Sequence, residues 1–84
     1  MLLSELPRRV AACVESVLDV QADDAIGRRL RELGFVAGEA VRVVSIGPFG
    51  GDPLVIEVGN TRFALRRSEA ARIRVRTDAV PCSP

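Results

Sequence analysis

Histidine and lysine are absent from this chain of 84 residues, and cysteine occurs twice. Apolar residues nowhere run unbroken for the roughly 20 positions that a membrane-spanning helix needs. Without histidine the commonest general base near neutral pH is missing. Cys13 and Cys82 lack the CxxC spacing of a zinc site, and Cys13 falls in a strand-like segment with no evident partner to activate it as a nucleophile. A hard cation would depend on scattered carboxylates gathered by folding or dimerisation, because the adjacent pair Asp23 and Asp24 reads better as the start of a helix. Catalysis, a resident cofactor and a metal site are therefore not expected. The two cysteines could bridge in principle. With Cys82 in the polar tail TDAVPCSP, both read as free thiols of a reducing cytoplasm. The opening residues MLLSELPRR place Glu5, Arg8 and Arg9 where a secretory signal would need an uninterrupted apolar core, so export is not expected either.

What the chain does contain is ordinary for one folded domain: 48% apolar and 27% charged residues. A chain this short buries only about 60 to 65% of its unfolded surface, which leaves no room for a second core. All 12 basic residues are arginine, set against 11 acids, so net charge gives no help to a general polyanion-binding role. Distribution is less even. From Thr61 to Arg76 there are six arginines and one acid, Glu69.

Val10 to Val20 reads as a first strand with Ala12 and Val14 on one face, and Val17 breaks the alternation as a bulge would. Asp23 or Asp24 can cap the helix that follows. Ile26, Leu30 and Leu33 fall at i, i+4 and i+7, which predicts one inward stripe with Arg28, Arg31 and Glu32 in solvent and the helix closing a barrel end. Gly34 can take the left-handed conformation that ends a helix. Further strands are expected at Ala40 to Ile46, Leu54 to Val58, Thr61 to Arg66 and Ile73 to Arg76. Gly59 and Asn60 form a two-residue hairpin link, and Ser68 to Ala71 one helical turn. The fold class is mainly β: a small barrel of about five strands with one helix between the first two. The domain is expected over 1–76, with a flexible tail over 77–84.

Two features could carry function without chemistry. In Gly47 to Pro53, prolines restrict both ends and Gly50 and Gly51 allow a sharp reversal, so Phe49 either stands at a loop tip or folds onto the core. The loop is a poor phosphate cradle, because a strand follows it and lysine is absent. Alternation also places Arg62 and Arg66 opposite Phe63 and Leu65, and Arg72, Arg74 and Arg76 opposite Ile73 and Val75, which predicts one arginine-rich surface. That surface is either a solvated exterior guarded against edge pairing or a patch for an acidic protein or nucleic acid.

The order helix end, turn, strand, glycine-proline loop resembles the FeoA family of ferrous iron transport proteins, whose SH3-like domain carries an RLxxLGFxPG segment before a glycine-rich loop. Arg29 to Gly38 matches that segment except at Ala37, where proline is usual. The run Pro48 to Leu54, with Ala64-Leu65-Arg66 and Glu69-Ala70, extends the similarity to about residue 76. At Arg9 the family often has glycine. The resemblance implies a small SH3-like barrel and a non-enzymatic cytoplasmic accessory protein that binds the ferrous iron transporter FeoB and meets the membrane only through it. It implies partner contacts at Phe35, Phe49, Gly50, Gly51, Asp52 and Pro53, with Leu30 and Leu33 in the core; Arg62 and Arg66 are added from the arginine face. A homo-oligomer stays open, since a small barrel with free strand edges can pair with itself. The alternatives are a KOW-type module binding RNA or polymerase, which GEAVRVVSIGPFGG also resembles, and a free-standing relative of the SH3-like domain of metal-dependent repressors. The helix before the strand speaks against KOW and for FeoA, so specific nucleic acid binding is not expected.

Overall fold

The computed structural model of the chain describes residues 1–19 and 23–78. Five strands, β1 (Ala11–Val17), β2 (Ala40–Ile46), β3 (Leu54–Val58), β4 (Thr61–Leu65) and β5 (Ile73–Arg76), form one antiparallel sheet in the order β4-β3-β2-β1-β5. Helix α1 (Ala25–Leu33) lies between β1 and β2, and a single turn, α2 (Arg67–Ala70), between β4 and β5. A 3-10 turn at Leu3–Glu5 precedes β1.

Alternation accounts for the core. Val41 and Val43 of β2, Leu54, Ile56 and Val58 of β3, and Ile73 and Val75 of β5 all point inward and are buried. The register slips in two places, between Val14 and Ser16 of β1 and between Val43 and Ser45 of β2. Such bulges bend a strand and raise its twist, which lets one sheet curl around its own apolar face. The first was legible in the misplaced Val17; the second was not. Of the hairpin residues Gly59 and Asn60, only Gly59 has positive φ, at 58°, the pattern of a type II′ turn.

The end signals of α1 are both used. Asp24 Oδ1 accepts from the amides of Ile26 at 3.0 Å and Gly27 at 3.2 Å, and Gly34 closes the helix at φ 114°. Asp24 is itself buried, and its carboxylate also meets the guanidinium of Arg72, tying the helix start to the entry of β5. The inward stripe is rotated from the expected one. Gly27 and Leu30 are buried and Leu33 packs against the core, while Ile26 is 38% exposed. The space a Cβ on Gly27 would need is taken by the Asp19 carboxylate, and Ile26 lies at the margin of the buried face.

Three expected features need comment. Phe35, a partner contact by the resemblance, is 0% exposed, with its ring 6.2 Å from that of Phe63, and so is not available as one. The residue after a left-handed helix end turns back over the helix, and here the Phe35 amide donates to Leu30 O at 3.1 Å. Cys13, buried on β1, is disulfide-bonded rather than the free thiol expected of it. Cys82, and the expected tail from residue 79 on, lie outside the described residues. Finally, the arginines of β4 and β5 stand on the first and last strands of the sheet order, with β3, β2 and β1 between them in the ladder. Among the described residues no helix is long and apolar enough to cross a membrane.

Candidate functional site

The loop between β2 and β3 is a braced structure with one aromatic side chain left outside. Its neck is the bond from the Gly47 amide to Pro53 O at 2.8 Å. An added Cβ on Gly47 would lie 2.5 Å from Asp52 O and 2.6 Å from Pro53 O, so glycine lets the two sides of the neck close. Above it, Phe49 and Asp52 exchange backbone bonds of 3.4 and 3.2 Å across Gly50 and Gly51. Both central glycines have positive φ, 66° and 86°, as a type I′ turn requires. The Asp52–Pro53 peptide is cis.

Arg67, the first residue of α2, holds this turn from below. Its amide donates to Asp52 Oδ1 at 3.0 Å, its Nε to Gly51 O at 2.9 Å, and its Nη1 to Ser4 O at 3.1 Å. A charged donor fixed to two carbonyls and backed by a carboxylate cap restrains a loop that glycine alone would leave loose. Sequence reading counted Arg67 merely as one charge of a basic stretch. The glycine carbonyl it grips carries no residue-type signal, so only the fold discloses the brace.

Phe49 is 81% exposed at the tip, which settles its placement in favour of the tip rather than the core. With Asp52, Pro53 and Arg66 it borders a recess of about 310 Å³. Gly50 is exposed, and Gly51 and Asp52 are half-buried with their polar atoms turned to Arg67. The candidate residues therefore divide. Phe49, Pro53 and Arg66 present side chains outward, Gly50, Gly51 and Asp52 shape the turn, Phe35 belongs to the core, and Arg62 stands apart on the outer face of the sheet, paired with Glu57. Two exposed apolar residues lie outside the candidate set: Ile46 at 42%, leading into the loop, and Val36 at 44%, beside the helix end. Both fall in apolar runs, and period alone does not tell an inward from an outward member.

No group of three or more His, Cys, Asp or Glu side chains is gathered among the described residues as a cation would need. No buried side-chain nitrogen or oxygen there lacks a partner. What distinguishes this loop is its braced shape and the ring exposed at its tip, with Ile46 leading into it.

The sequence profile of the FeoA domain matches residues 1–77. The chain belongs to the FeoA family. Among solved structures, this FeoA-family chain is 64% identical to a zinc-complexed SH3-domain protein of Stenotrophomonas maltophilia, described as a candidate bacterial ferrous iron transport activating factor. That match covers 90% of this chain and 89% of the other, with a TM-score of 0.83. The FeoA protein of Chlorobium tepidum is 38% identical over 94% of this chain and 71% of its own, with a TM-score of 0.80. The manganese regulator SloR shares the fold alone, at 14% identity and a TM-score of 0.71 over 93% of this chain and 34% of its own. No match was found among functionally curated proteins. FeoA-family proteins are SH3-like accessory proteins of ferrous iron transport, and the five-stranded sheet with its helix between β1 and β2 fits that description.

Proposed function

We propose that this FeoA-family protein acts in the cytoplasm by contact rather than catalysis, docking its β2–β3 loop onto the cytosolic part of a FeoB-type ferrous iron transporter. The observation that carries the reading is Phe49, 81% exposed on a turn that Arg67 grips from two sides. A turn whose backbone is already held in place loses little freedom on binding, so burial of the Phe49 ring in a partner is available as affinity. Pro53 and Arg66 extend the contact around the recess, and Ile46 leads into it. Iron and the transporter enter through the family; the loop supplies the means of contact.

The test is Phe49→Ala in the intact protein, measured for binding to a purified cytosolic domain of the transporter and for thermal unfolding. An anchoring aromatic costs about 2 kcal/mol or more when truncated at an interface, which is roughly a thirtyfold weaker Kd. The melting temperature should barely move, because the ring buries little in the free protein. Unchanged affinity together with a large loss of stability would return Phe49 to a purely structural role.

A further inference from the structure

A second surface lies on the outer face of the sheet and is built from charge. Arg9, Arg42 and Arg62 converge on a cleft of about 390 Å³, whose remaining lining is Val44, Ser45 and Val55. The three arginines come from the lead-in to β1, from β2 and from β4, so sheet order rather than sequence brings them together. Glu57 of β3 stands between two of them. Its Oε1 accepts from Arg42 Nη2 at 2.8 Å and its Oε2 from Arg62 Nε at 3.3 Å. One carboxylate thus orients two guanidiniums, each of which keeps further N–H groups for a ligand. Arg9 is placed by its backbone, which donates to Val43 O at 2.8 Å at a φ of 71°. Three positive charges face one negative charge across a floor of two half-buried valines.

We infer that this cleft receives an acidic segment of a partner protein, its carboxylates bound by Arg9, Arg42 and Arg62 and a short apolar side chain resting on Val44 and Val55. Guanidinium forks match carboxylates in geometry, and arranged charge excess selects an acidic partner. Phosphate sites commonly present converging backbone amides; here β2 and β3 pair on both sides of the bulge at Val44, and the floor is made of the apolar side chains of Val44 and Val55. The lining contains no aromatic ring on which a nucleic acid base could stack. The assignment goes beyond the docking role of the Phe49 loop and does not depend on which protein that loop meets.

The probe is a blocked pentapeptide, Glu-Glu-Leu-Glu-Glu, titrated into isotope-labelled full-length protein and followed by NMR. Saturable shifts are expected at the amides of Arg42, Ser45 and Val55 and at the guanidinium signals of Arg9, Arg42 and Arg62. Arg9→Gly is a useful variant because glycine tolerates the positive φ found there, so the protein should fold at least as well. Arg9→Gly and Arg62→Ala should each weaken the peptide about tenfold, the usual worth of a charge-assisted hydrogen bond. Phe49→Ala should leave it unchanged, which separates this surface from the loop. The inference is overturned by shifts that do not saturate or that lie elsewhere, or by equal affinity for the Gln-Gln-Leu-Gln-Gln control. Displacement of the peptide by equimolar inorganic phosphate would reduce the cleft to a bare oxyanion site, and binding of a single-stranded RNA in its place would reassign it to nucleic acid.

Discussion

Two glycines of the β2–β3 loop look alike in sequence and differ in what they prevent. Gly47 sits where a Cβ would overlap backbone atoms of Asp52 and Pro53 at 2.5 to 2.6 Å, and backbone has no rotamer by which to yield. Gly50 has open space around it and only its φ of 66° to protect. Gly47→Ala should therefore destabilise by about 2 to 3 kcal/mol, as overpacking against fixed atoms does, and Gly50→Ala by about 1 kcal/mol, the strain of a left-handed residue. Urea unfolding at constant slope measures both, and a Gly50 variant costing more than the Gly47 variant would refute the account. Arg9 shows the converse case. Its φ of 71° is a conformation natural to glycine, which gives a physical reason for the glycine that the family often has there. Phe35, an apolar residue directly after the left-handed Gly34, packs back over the helix end as that position commonly does, and its burial takes it out of the partner contacts that the resemblance implied.

The hairpin of β3 and β4 carries an electrostatic coupling that also draws in Arg42 of β2. The hydrogen bond from Arg62, together with the one from Arg42 and the charge of both, holds the carboxyl of Glu57 below the ordinary glutamate value of 4.5 against a smaller opposing effect of desolvation. A carboxylate whose folded value is depressed adds stability that is present above its unfolded value and is lost as pH falls through the folded one. The Glu57 contribution should thus be complete above pH 4.5 and fade below it. A carbon-detected NMR titration of Glu57 should show a midpoint below that of a free glutamate, moving up in Arg62→Gln; an unmoved midpoint would deny the coupling. The same hairpin shows what sequence can disclose. Strands β2, β3 and β5 begin and end where alternation and turn residues predicted, because each has a clean inward face and sharp punctuation. Helix α1 was legible from Asp24 and Gly34, yet its facing was not, since Gly27 is buried and carries no apolar side chain to mark that face. The 3-10 turn at Leu3–Glu5, which buries Leu3 and Leu6, was read only as the negative of a signal sequence. The Asp24–Arg72 pair and the Arg67 brace span 48 and 15 or more residues, distances over which no local period carries information. Of the candidate site, the exposed tip was legible as one of two outcomes from Pro48, Gly50, Gly51 and Pro53; which outcome held depended on α2 arriving beneath it.

Taken over the entire surface, the arginines are dispersed and mostly answered. Sheet order sends those of β4 and β5 to opposite edges, and the described acids pair with Arg28, Arg29, Arg31, Arg42, Arg62, Arg72 and Arg76. With a formal net charge of +1, the molecule lacks the broad positive field that gathers a polyanion. The basic cleft is the one place where guanidiniums outnumber carboxylates three to one in a concavity among those described, and it can meet few phosphates at a time. A single-stranded RNA engaging about three phosphates gives a slope of roughly −2 in the logarithm of affinity against the logarithm of salt. Single-stranded RNA should therefore bind this protein weakly, with a slope no steeper than that and no sequence preference, and should be released at moderate salt. Fluorescence anisotropy over a salt series reads the slope directly. A steep dependence with a sequence-selective complex surviving at high salt would mean that more phosphates and base contacts are engaged than this surface can offer, and would favour a KOW-type nucleic acid module over a protein-docking one.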